Sequence, residues 1–158
     1  MKAVRRGGVG LVAVVLVLAS LTACASDTDS YCAELEKQKE TLADLANRSD
    51  RPGEDVLTGT LDVWRDLRDE APADIADEWS TLVFALEGLV EAFDDAGTTP
   101  EEFDPASPPE GVGKAEVKRL EDAAAELASG RVTAAGESVQ QHARDVCKVD
   151  LGLGSAGG

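Results

Sequence analysis

The sequence predicts an all-α fold: an antiparallel bundle of four to five helices, closed by one disulfide and preceded by an export leader. Three observations predict it. Apolar residues recur at steps of three and four through most of the chain beyond residue 30, the spacing of one helix face. No stretch alternates polar and apolar at period two, so no sheet is expected. Cys32 and Cys147 stand near the two ends of the helical region. A bridge between them needs the first and last helices to be neighbours, and closure of a bundle provides that.

The leader comes first. Met1 to Gly8 carries Lys2, Arg5 and Arg6 and no acid, and an apolar run follows from Val9 to Ala19. Ser20, Leu21, Thr22 and Ala23 are small or apolar. A cationic start, a short apolar centre and small residues before a cleavage point make residues 1–23 a secretory signal peptide. The apolar run of about 15 residues is too short to cross a ~30 Å hydrocarbon core comfortably, which weighs against an uncleaved anchor. Leu21-Thr22-Ala23-Cys24 resembles the lipobox of bacterial lipoproteins. The resemblance implies that the Cys24 sulfur takes a diacylglyceryl group and that cleavage leaves Cys24 as the new N-terminus. Sulfur is the nucleophile this step requires. Two acyl chains at about 0.8 kcal/mol per buried CH₂ suffice for stable anchoring, so the membrane is an expected partner through Cys24. The alternative is a plain secreted protein cut after Ala23 or Ala25.

Charge narrows the partners. The whole chain has 15 Lys+Arg against 31 Asp+Glu, a net charge of −16; losing Lys2, Arg5 and Arg6 leaves 12 against 31, or −19. Nucleic-acid binding needs Lys and Arg to neutralise phosphates, so it is excluded as an expectation. Adhesion of the protein body to an anionic lipid surface is disfavoured as well. The excess keeps a domain soluble, and it also attracts cationic partners. The mature chain of about 135 residues is the size of one domain.

Residues 24–29 are small and polar, a lipidated tether, and Ser30 is a candidate N-cap. Helix 1 is expected over about 31–47, with Tyr31, Leu35, Leu42 and Leu45 on one side, until Arg51-Pro52-Gly53 breaks the chain. Helix 2 spans about 54–70 with Leu57, Leu61, Trp64 and Leu67 inward. Ala71-Pro72 ends it, and Pro72 suits the first position of the next helix. Helix 3 carries the strongest stripe: Ile75, Trp79, Leu82, Leu86, Leu89 and Phe93, widened by Val83 and Val90. Gly97 is its expected stop.

Residues 98–113 hold four prolines and two glycines; either Thr99-Pro100-Glu101-Glu102 starts one short turn with Phe103 tucked onto the bundle, or the segment is a loop. An ordinary crossover outweighs a lid over a pocket here. Helix 4 covers about 114–129 with Val117, Leu120, Ala124 and Leu127 inward. Helix 5 covers about 131–148 with Val132, Ala135, Val139, Ala143 and Val146 inward, unless both form one rod kinked at Gly130. The domain is thus expected over residues 30–150, with a disordered tail at 151–158.

With Cys24 used by the lipid, Cys32 and Cys147 are the two thiols left, and an oxidising compartment pairs them. Two buried free thiols are the alternative. The rest of the chain offers little chemistry. His142 is the only histidine. Ser138 and Asp145 stand near it in sequence, but such spacing is common on an acidic helix, and a bundle-edge histidine is the simpler reading. Glu137 and His142 are five apart and split across a helix, unlike the Glu-x-x-His pairs of di-iron bundles. Glu87 with Glu91, and Asp122 with Glu126, read as solvated charge rather than as a metal site. Trp64 and Trp79 lie on apolar stripes and read as core rather than as a stacking platform. Neither a catalytic residue nor a cofactor or metal is expected.

The lipobox, Tyr31-Cys32, Ala71-Pro72-Ala73-Asp74-Ile75 before Trp79, and the late Cys147 together resemble a group of small helical lipoproteins of actinobacteria. The group often carries Gly after the late cysteine, where this chain has Lys148. The resemblance implies a location and a disulfide-closed helical body, and it carries no activity. The expected function is therefore a non-enzymatic, lipid-anchored domain on the outer face of the cytoplasmic membrane that binds a cell-envelope partner. The alternative is a carrier or sensor of a small or apolar ligand held between helices.

Overall fold

A computed structural model describes residues 21–48 and 53–151. The expected signal peptide up to residue 20, Arg51 and Pro52 of the first break, and the tail from residue 152 lie outside the described residues. Five α-helices follow one another among the described residues: α1 (Leu21–Asn47), α2 (Glu54–Glu70), α3 (Ala76–Ala96), α4 (Lys114–Leu127) and α5 (Gly130–His142). A single π-helical turn, Ala143–Cys147, extends α5. The described residues form an all-α five-helix bundle closed by the Cys32–Cys147 disulfide.

Helix α3 is the hub and packs against α2, α4 and α5, while α1 packs against α2 and the π turn. The composition of α3 explains its place. Trp79, Leu82, Val83, Ala85, Leu86 and Leu89 are all buried, a stripe too wide for one neighbour. Its 21 residues make a rod of about 32 Å. The main core joins Tyr31 and Leu35 of α1, Val63 and Leu67 of α2, Trp79 and Leu82 of α3, and Val132, Ala135 and Val139 of α5. A smaller cluster of Leu61, Val83 and Leu86 lies between α2 and α3, with Leu127 of α4 packed on it.

Several boundaries differ from the sequence reading. Helix α1 already includes the first described residue, Leu21, and runs through the expected tether, because no Gly or Pro interrupts residues 21–47. A turn separates Pro72 from α3, with the Ile75 amide donating to the Pro72 carbonyl at 3.0 Å. Helices α4 and α5 are separate. Ser129 is extended and its hydroxyl accepts from the Val132 amide at 3.3 Å, so an N-cap rather than Gly130 makes the break.

Inward positions shift as well. On α4, Ala123 is half-buried and Ala124 exposed, the reverse of the expectation. Val146 is 44% exposed, because the π turn holds an extra residue per turn and rotates Cys147 inward in its place. Val149 and Leu151 are buried, so the first residue of the expected tail belongs to the core.

The chain leaves the π turn through Lys148, whose φ is 61°. The amides of Lys148 and Val149 both return to the Ala143 carbonyl, closing the helix end in a left-handed cap.

The α3–α4 loop is built of turns. The Glu102 and Phe103 amides donate to the Thr99 carbonyl, and the Ala106 amide donates to Asp104 Oδ1 at 2.8 Å. Phe103 meets Phe93 edge-on, with ring centroids 6.0 Å apart, which pins the loop to α3 as expected. The Glu101 carboxylate lies over Gly53 at the start of α2, so a Cβ there would collide with it. An anion at that end also suits the helix dipole.

Candidate functional site

The two cysteines expected to pair do so: the Cys32 and Cys147 sulfurs are bonded, across a separation of 115 residues and with Cα atoms 5.1 Å apart. Cys32 stands on α1 and Cys147 closes the π turn, so the bridge fastens the first helix to the end of the last. The side chain of Cys24, the lipidation candidate, lies outside the described residues.

Beside the disulfide is a polar cluster that sequence reasoning missed. Trp79 Nε1 donates to Tyr31 Oη at 2.8 Å, and both side chains are fully buried. Burial pushes the Tyr31 phenol up to about 12; the Trp79 hydrogen bond opposes this and the negative charge of Asp74 adds to it. The His142 ring lies 5.6 Å from the Tyr31 ring. Its Nε2 is 3.5 Å from Asp74 Oδ2, and its buried Nδ1 has no hydrogen-bond partner. His142 is thus more enclosed than a bundle-edge histidine, with 11% of its side chain exposed.

Ser138 and Asp145, the residues near His142 in sequence, stand outside this cluster. Ser138 lies on a surface groove with Asp77, Glu78, Thr81 and Arg131. Asp145 Oδ2 accepts from Gln141 at 3.4 Å. Neither engages His142, and a general base needs its nucleophile within hydrogen-bond reach. The carboxylate pairs weighed as metal ligands have other engagements. Glu87 pairs with Arg65, Asp122 with Lys118 at 2.7 Å and Glu126 with Arg131, while Glu91 and Glu137 are exposed. Among the described residues, no group of three or more His, Cys, Asp and Glu side chains could hold a metal ion. Trp64 meets Trp79 edge-on with centroids 6.5 Å apart, an arrangement of core packing.

Two clefts flank the α3–α4 loop. One, of about 200 Å³, lies between α2, the end of α3 and the loop start, walled by Leu57, Val90, Phe93 and Pro100. Thr98 lines it; this residue is 8% exposed and its buried Oγ1 has no partner. Asp94 lines it too. The other is an open groove of about 470 Å³ between the loop and α4, lined by Pro105, Pro108, Val112, Val117, Lys118 and Glu121 among others. The interhelical cleft falls below the ~300 Å³ at which small-molecule pockets begin.

The exposed large apolar side chains among the described residues are Phe84, 67% exposed on α3, and Val146 on the π turn. They stand on different elements, as scattered surface apolars commonly do. No helix among the described residues is long and apolar enough to cross a membrane. No protein-family model, curated protein or solved structure matches the chain.

Proposed function

We propose that the chain is a lipid-anchored lipoprotein of the outer face of the cytoplasmic membrane, with a non-catalytic helical body that binds a protein of the cell envelope. Leu21-Thr22-Ala23-Cys24, following a cationic start and a short apolar run, carries this reading. Its resemblance to a lipobox, and that of the wider chain to small actinobacterial lipoproteins, supplies the address. A disulfide between the two ends of the body fits an oxidising compartment.

The surface favours electrostatic recognition over apolar docking. Large apolar side chains are scattered singly, whereas acids outnumber bases 31 to 12 once the leader is gone. A carrier of a ligand between helices fits less well, because the cleft between α2 and α3 holds about 200 Å³ and the larger groove of about 470 Å³ lies between the loop and α4.

The test is radiolabelled palmitate incorporation with membrane fractionation, followed by pull-down from native membranes, on the wild type and Cys24→Ala. The wild type should carry label, sediment with membranes and retain its partner. Cys24→Ala should lose the label and the membrane association. Absence of label on the wild type overturns the anchor. Identical partners for both forms remove anchoring from the binding event.

A further inference from the structure

The last turn of α3 is acidic, and its Asp94 and Phe93 carbonyls are capped by the Gly97 and Thr98 amides. A helix C-terminus is the negative end of its dipole and favours cations, yet the last turn of α3 carries no basic residue. It carries Asp94 and Asp95 instead. Asp95 has a cation of its own, Arg119 of α4, at 3.1 Å. Asp94 has no ion pair among the described residues, and it lines the 200 Å³ cleft whose walls are Leu57, Val90, Phe93 and Pro100. Thr98 lines the same cleft, and its Oγ1 is buried without a hydrogen-bond partner. Burying a hydroxyl unsatisfied costs about 1–3 kcal/mol, so a donor arriving there recovers free energy.

Apolar walls, a carboxylate, a hydroxyl and a helix C-terminus describe a receptor for one chemistry: an ammonium on an alkyl stem. We propose that this cleft receives a single lysine side chain from the partner protein, and so is the anchor point of the binding proposed above. The four-carbon stem lies along Leu57, Val90, Phe93 and Pro100, and the ammonium sits between Asp94 and Thr98 at the end of α3. Lysine suits it better than arginine. Its three rotatable donors reach scattered acceptors, whereas a planar guanidinium works best against a carboxylate it can grip with two parallel bonds. The cleft has the size of one side chain, not of a drug-sized ligand. The surrounding acidic surface steers a basic partner toward it.

The inference rests on the partner-binding reading, but its test needs no partner. The full chain in nonionic detergent is titrated by NMR with capped Gly-Lys-Gly, the same peptide acetylated on Nε, and n-butylammonium. The lysyl peptide should shift the amides of Asp94, Gly97 and Thr98 most, and acetylation should weaken it at least about fivefold. Asp94→Asn should weaken it similarly, while Glu91→Gln leaves it unchanged. Thr98→Val should weaken binding about threefold while leaving the protein as stable or more so, because it removes the unsatisfied hydroxyl. Shifts unaffected by acetylation or by Asp94→Asn overturn the proposal. So does butylammonium binding more tightly than the lysyl peptide, since the site would then favour free amines over a chain-borne lysine. If these fail while membrane pull-down still yields a partner, only the cleft is wrong.

Discussion

The indole nitrogen of Trp79 donates to the phenolic oxygen of Tyr31 across the interface of α3 and α1, 48 residues apart in sequence. Tyr31 is the only tyrosine, so its titration can be read directly in the ultraviolet. Burial pushes its phenol up to about 12 from an ordinary 10. The folded state therefore holds the proton more tightly than the unfolded state. Stability from this group is whole below pH 10 and is lost as pH rises toward 12. Phenolate absorbance should appear near pH 12 in buffer and near pH 10 in denaturant. A native midpoint at 10 would remove the buried cluster.

Tyr31→Phe should destabilise by about 1–3 kcal/mol, since it strands a buried indole N–H. Urea unfolding followed by Trp fluorescence measures it. A loss well under 1 kcal/mol would mean that the Trp79 donor finds another acceptor.

The disulfide encloses a loop spanning a separation of 115 residues. Chain-entropy arguments assign about 4.7 kcal/mol to a loop of this order, and native bridges in small secreted domains typically contribute about 2–5 kcal/mol. Cys32→Ser with Cys147→Ser should lower the urea midpoint accordingly. Reduction of the wild type should bring it to the same midpoint.

Lys148 adopts the left-handed region that side chains with a Cβ disfavour by about 1–2 kcal/mol. Lys148→Gly relieves that cost, at the expense of greater unfolded-state entropy and of the bond from Lys148 Nζ to the Asp145 carbonyl. A net gain of about 0.5–1 kcal/mol in urea unfolding is expected.

Ser129 accepts from the Val132 amide at the start of α5. Ser129→Ala should cost about 1 kcal/mol, and Ser129→Gly only a few tenths. The contrast distinguishes a cap from a general intolerance of change at the junction.

What the sequence made legible is what repeats. The Trp79, Leu82, Leu86, Leu89 series marks α3, and a shared apolar period made the all-α class plain. The Cys32–Cys147 pair followed from counting thiols. Non-repeating features were harder to read. A π turn leaves no composition signal, so Val146 was placed inward where Cys147 belongs. Val56 and Val63 are buried because α2 meets more than one neighbour, and a single-stripe reading misses a second face. The Tyr31, Trp79, Asp74 and His142 cluster draws on α1, α3, α5 and the connection between α2 and α3, and no local window contains it. The cleft at Asp94 was equally hidden, since its walls come from α2, α3 and the following loop.

Were Cys24 acylated as proposed, a tug from the bilayer would enter α1 and meet the cystine eight residues later. Covalent sulfur then carries tension straight across to Cys147, close to the last described residue, Leu151. Helices α2 to α5 sit inside the resulting covalent ring, so a load running from leading to trailing terminus is shunted around them. Stretching the oxidised protein end to end should therefore release far less contour length than stretching the reduced one.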